Sequence, residues 1–122
     1  MSLSKQYRFS SRKEFKEVLK KGEKIHTPLF TLLVSNDEGV KMSRFGFIVS
    51  KKIDKKAVIR NKVRRRLSEA VRLLLPKLRQ DVRVIFLVRP VLKDKKTQEI
   101  VEVLRQVRGI FGDYAEKKQI KS

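Results

Sequence analysis

Ten consecutive residues, 57–66, hold five cations: Arg60, Lys62, Arg64, Arg65 and Arg66, with Asn61 among them. Guanidinium forks and ammonium groups at that density suit phosphate oxygens, which accept their hydrogen bonds and offset their mutual repulsion. From Lys51 to Arg66 there are nine basic residues and one acid, Asp54. The whole chain has 32 Lys and Arg against 13 Asp and Glu, a formal net charge of +19 over 122 residues. Self-repulsion at that charge opposes compaction. The composition therefore points to a polyanionic partner, nucleic acid first and an anionic membrane surface second.

Other chemistry is sparse. His26 is the only histidine; Glu23 is the one acid near it in sequence, and no base with an orienting partner is evident. Asp37 and Glu38 stand in a polar loop with no second acidic cluster to complete a site. The sequence contains no Gly-rich phosphate loop and no metal-ligand spacing. It has no cysteine, which excludes disulfides and thiolate metal sites. Apolar runs are a few residues long, against the ~20 that a membrane-spanning helix needs. The opening residues are polar and basic, without a signal-peptide pattern. The expectation is one cytoplasmic domain over residues 1–122, ordered from about 6 to 115 with a frayed C-terminal tail. No metal, cofactor or obligate protein partner of its own is expected, and no membrane association.

The basic run needs an element to hold it. Placed at about 100° per residue, Val63, Leu67, Ala70, Val71 and Leu74 fall in one stripe, while Asn61, Arg65, Ser68 and Arg72 lie opposite. Residues 58–75 thus read as an amphipathic helix with its apolar side to a core, stopped by Pro76. A helix N-terminus carries partial positive charge, so each exposed cation there costs a few tenths of a kcal/mol. A bound anion would reverse the sign, because phosphate meets free amides, the dipole and the Arg forks together.

The rest of the chain supplies the scaffold. Residues 9–22 predict a short helix, with Ser11 and Glu14 at capping-box spacing, Phe15, Val18 and Leu19 on one face, and Gly22 at its end. Residues 28–35 predict a strand, preceded by an extended piece around residues 24–26 and followed by a polar loop over 36–43. Residues 44–50 predict another strand, with Gly46 marking a bend or close approach. Residues 82–90 predict a third, whose unbroken apolar middle implies cover on both faces or a central place. Ile100, Val103, Leu104, Val107, Ile110, Phe111 and Tyr114 predict a last helix. The order α, two or three strands, α, strand, α gives an α+β domain with a small mixed sheet and helices packed on it. No helix-turn-helix precedes the basic helix, which argues against major-groove reading. Phe15, Phe30, Phe45 and Phe47, interleaved with basic residues, could stack unpaired bases, although Phe on a half-buried strand is more often core.

The stretch "SKKIDKKAVIRNKVRRRLSEAVR" resembles the signature of the bacterial ribonuclease P protein subunit. That signature is a Ser-Lys-Lys strand end, a short loop, Ala-Val, and a helix opening Arg-Asn-Arg/Lys with further basic residues. "FSSRKEFKEVLKKG", "RFGFIVSKK" and "VIFLVRP" are similar to the family's first helix, central strand and last strand, so the resemblance covers roughly residues 6–115. It implies an α-β-β-β-α-β-α sandwich like the second domain of the fifth small-subunit ribosomal protein, with a left-handed β-α-β crossover. It also implies a role beside a catalytic RNA that removes the 5′ leader of precursor tRNA, with Mg²⁺ held by the RNA and not by the protein. Carried over by residue, the surface for the RNA subunit is Arg60, Asn61, Lys62, Arg64, Arg65 and Arg72, with Arg66 beside them. The cleft for the leader is Phe15, Leu19, Lys51, Lys52, Lys56 and Arg89. Three positions depart from the family pattern: Ser68 where Arg is common, Leu19 where a second aromatic is common, and Asp54 where Gly is common. A basic module of the ribosomal-protein kind is the alternative reading. A membrane-surface protein is disfavoured, because the basic helix needs its apolar stripe for the core.

Overall fold

The computed structural model describes residues 7–9, 11–35, 43–78 and 82–107. Its first element is α1 (Arg12–Lys21), opened by Ser11, whose Oγ accepts a hydrogen bond from the Glu14 amide at 3.2 Å. Only that half of the expected capping box forms, and the Glu14 carboxylate turns toward Arg83 instead. Gly22 ends the helix at φ −63°, outside the left-handed region. It is there for room: a Cβ would come within 2.6 Å of the Val18 carbonyl oxygen and 3.2 Å of the Leu33 Cβ.

Four strands follow the expected order around a second helix: β1 (Glu23–His26), β2 (Phe30–Ser35), β3 (Arg44–Ile48), α2 (Ala57–Leu74), β4 (Arg83–Val88), then α3 (Thr97–Arg105). The α-β-β-β-α-β-α expectation therefore holds. β1 and β2 form a hairpin through Pro28 and Leu29, closed by the Thr27 amide donating to the Phe30 carbonyl at 2.9 Å. This is why the strand begins at Phe30 and not at Pro28, which has no amide to give a ladder. The sheet runs β1-β2-β4-β3. β3 and β4 are parallel neighbours joined through α2, and the other pairs are antiparallel.

Alternation of side chains along the strands sorts them into two cores. Leu32, Phe45, Val84 and Phe86 face α2 and α3, where Val63, Leu67, Ala70, Val71, Leu74, Ile100, Val101 and Leu104 are buried. Leu33 and Ile85 face α1 and pack on Val18. β4 is central and covered on both faces, as its unbroken apolar run implied. Phe30 and Phe45 are core residues, with Phe30 5.0 Å from Phe86 between ring centroids. The last helix buries Ile100, Leu104 and also Val101, which the helical spacing had not singled out. Ile110, Phe111, Tyr114, the tail and most of the 36–43 loop lie outside the described residues.

Candidate nucleic-acid interface

The stripe on α2 is buried as the wheel predicted, with Val63, Leu67, Ala70, Val71 and Leu74 all in the core. Burying Val63, Leu67, Val71 and Leu74 contributes about 1.5–3 kcal/mol each. That outweighs the few tenths per misplaced cation, so the helix forms and holds its charges in place. Lys56 occupies the N-cap position without a side-chain cap, and the first turn contains no acid. The positive end of the helix dipole is thus flanked by cations, with Asp54, bonded to the Lys56 amide, as the carboxylate beside it.

The cations differ in what they touch. Arg60 donates to the carbonyls of Asp54 (3.0 Å) and Lys55 (2.8 Å), pinning the loop that precedes the helix. Asp54 accepts from the Lys56 amide at 2.8 Å and pairs with Lys93 at 3.3 Å. The amide bond above all holds its carboxyl below the usual carboxylate range. Arg64 donates to Asn61 Oδ1 at 2.9 Å. Arg66 is turned along the protein, donating to the carbonyls of Lys93 and Lys95 at 2.9 and 3.2 Å. Arg72 pairs with Glu69, Nε to Oε2 at 3.1 Å, and this hydrogen-bonded pair takes the Glu69 carboxyl down to about 2. Lys62 and Arg65 are exposed and make no hydrogen bond or ion pair with a described residue. Arg60, Arg64, Arg66 and Arg72 therefore spend donors on the protein itself while Arg65 does not, a difference among like residues that spacing does not reveal.

Ser68 is a correction. The wheel put it on the outer face, but it is 6% exposed. It lies on the flank shared with Arg64, where the helix borders β3, and lines a groove of about 930 Å³. Phe9, Phe15 and Phe47 line the same groove, together with Asn61, Arg64 and Arg65. Phe15 thus shares a concavity with the basic helix, although the sequence reading kept the two apart. Arg8 and Phe9 were missed altogether. Arg8 bridges to Phe45 beside β3, and the Phe9 ring meets Phe15 edge-on at 5.3 Å. The bridge from Arg8 to Phe45 joins segments distant in sequence, so no local pattern announces it.

The remaining cleft residues lie elsewhere. On the α1 face of the sheet, Phe15, Ile48 and Leu87 are half-buried around Val18, Leu33 and Ile85. Ile48 stands opposite Leu87, so Lys51, Lys52 and Arg89 follow at one end of the parallel pair, all exposed. Thr31 pairs with Leu87, and His26 Nδ1 lies 3.2 Å from Thr31 Oγ1, so both belong to this open end. Leu19 is 38% exposed on α1. Lys56 sits at the start of α2. Among the described residues, no cluster of three His, Cys, Asp or Glu could hold a metal ion, and no helix is long and apolar enough to cross a membrane.

What these surfaces can do chemically is bind: cations for phosphate, half-buried rings and aliphatic chains for bases or ribose. The family model described as Ribonuclease P matches residues 3–112. The ribonuclease P protein component of Symbiobacterium thermophilum is 33% identical over 112 residues, covering 89% of this chain and 96% of that one. That of Microcystis aeruginosa is 32% identical over 110 residues, covering 88% and 92%. Among solved structures, a mutant of the Staphylococcus aureus RNase P protein with defective mRNA degradation activity superposes with a TM-score of 0.77 at 28% identity, covering 88% of this chain and 92% of that one. The Thermotoga maritima RNase P protein shares the fold, with a TM-score of 0.71 at 24% identity over 80% of this chain and 91% of that one.

Proposed function

Because this chain belongs to the ribonuclease P protein family, we propose that it is the protein subunit of a ribonucleoprotein endonuclease that removes the 5′ leader from precursor tRNA. The observation that carries the reading is the start of α2: a helix end with no acid in its first turn, bearing Arg60, Asn61, Lys62, Arg64 and Arg65. Phosphates of the RNA subunit meet that end, with Lys62 and Arg65 the most available donors. Arg66 and Arg72 contribute charge at the margin of this surface. The single-stranded leader lies against the α1 face, with Phe15, Ile48 and Leu87 as its apolar floor, Leu19 at the rim, and Lys51, Lys52, Lys56 and Arg89 as phosphate contacts. Cleavage is assigned to the RNA and its Mg²⁺ ions, with the protein positioning substrate. On this reading the chain works as one domain in the cytoplasm, with ribonuclease P RNA and precursor tRNA as its partners.

Reconstitution tests it. The protein is added to a bacterial ribonuclease P RNA at low Mg²⁺, and cleavage of precursor tRNA is followed. Stimulated cleavage at the mature 5′ end is the expected result. RNA binding without stimulation would instead favour a ribosomal-protein-like module.

A further inference from the structure

On α1, Val18 points straight into the sheet and is the one fully buried side chain of the helix. At about 100° per residue, Phe15 lies about 60° to one side of Val18, with Leu19 beyond it. Glu14 lies about 40° to the other side, with Glu17 beyond. The helix therefore rests on the sheet along a narrow apolar line, with an aromatic flank and an acidic flank. A helix held by one buried residue is poorly fixed against rolling about its own axis.

The acidic flank is fixed by Arg83. This residue opens β4 on the face that α1 covers and is 6% exposed. Its guanidinium lies 3.8 Å from Glu14 Oε2 and 3.5 Å from Glu17 Oε2, with Nη2 3.5 Å from the Ser35 hydroxyl across the sheet. Glu14 Oε1 is itself buried. Two acids one turn apart on one flank are thus held to a single buried cation, and the opposite flank carries Phe15 against Gly46. We propose that Arg83 is a positioning residue for the leader site: by holding Glu14 and Glu17 down, it sets the roll of α1 and with it the height of Phe15 over the sheet. The proposal rests on the leader reading above and deepens it. Arg83 touches no RNA; it acts through the helix.

The test combines Arg83→Met, Arg83→Lys and Glu17→Gln with Phe15→Ala. Nuclear Overhauser contacts between the Phe15 ring and Gly46 weaken in Arg83→Met and persist in Arg83→Lys. Glu17→Gln, at a half-exposed position that folding tolerates, shifts them in the same direction to a smaller degree. Unchanged contacts in both Arg83→Met and Glu17→Gln overturn the proposal, whatever the activity. In the reconstituted holoenzyme, Arg83→Met lowers affinity for precursor several-fold relative to mature tRNA. It adds no further loss in a Phe15→Ala background. Additive losses overturn action through Phe15. If Phe15→Ala alone leaves leader-dependent affinity intact while the Overhauser contacts respond, then the leader reading has failed and the clamp on α1 stands.

Discussion

Arg65 and Arg66 are neighbours of the same type with different tasks. Arg66 ties α2 to the carbonyls after β4, while Arg65 reaches solvent with no described partner. Replacing Arg65 by alanine should weaken binding to the RNA subunit and lower the slope of log K against log salt by about 1, the signature of one lost phosphate contact. Binding isotherms at several salt concentrations check this; an unchanged slope places Arg65 off the phosphates. Glu69 has a protein-internal role. Its carboxyl is held at about 2 against an ordinary 4.5, chiefly by the hydrogen bond from Arg72. A depressed folded value means that the unfolded chain takes up protons first as pH falls. The stability from this pair is present above pH 4.5 and is lost on descending toward 2. Glu69→Gln should therefore melt slightly below the parent at neutral pH, and the gap should close by pH 2. Thermal melts across that range measure it, and the gap stays small because an exposed pair is screened by solvent.

At the scale of elements, α1 rests on β2 and β4 through Val18, and its Phe15 reaches over to Gly46 of β3. A Cβ on Gly46 would approach Phe15 Cε2 to 2.8 Å and Phe9 Cδ2 to 3.1 Å. The glycine thus lets an edge-on aromatic pair sit down on the strand. Gly46→Ala should lift both rings and cost about 1–3 kcal/mol, the usual penalty for overpacking. Denaturant unfolding gives that number. The same variant should lose discrimination between precursor and mature tRNA, because Phe15 leaves its seat. α2 shows the opposite balance: its apolar stripe outweighs the charge crowding, so the helix backbone that carries the basic face is set before any partner arrives. Preorganised cations lose less entropy on binding than a disordered basic tail would.

For the molecule as a whole, net charge sets the conditions of stability. With +19 on 122 residues, self-repulsion favours expansion, and screening relieves it. Added salt should raise the melting temperature of the free protein, and a polyanion such as a structured RNA should raise it further by binding only the folded form. For an RNA in excess at about 100 times its dissociation constant, the gain is about 2.7 kcal/mol. Calorimetry with and without RNA separates the two effects; a melting temperature that falls with salt would argue against repulsion as the limiting term.

Much of this was legible in one dimension. Helical period alone located the buried stripe of α2 and the outward setting of Asn61 and Arg65, since a helix's faces are set by local geometry. An unbroken apolar run marked β4 as central, and the basic density announced a polyanion. Residue patterns along the chain supplied the order of elements, and the resemblance carried by residues 50–72 supplied the family. What the folded chain alone decided is which side chains meet across long separations. Ser68 lines one groove with Phe45 and Phe47, and residue 8 pairs with residue 45. Arg66 faces carbonyls 27 and 29 positions away. Arg83 reaches back to Glu14 and Glu17 on the first helix. Periodicity reports the direction in which a side chain points; only tertiary packing supplies the partner it finds there, because that partner is brought by chain closure and not by sequence neighbours.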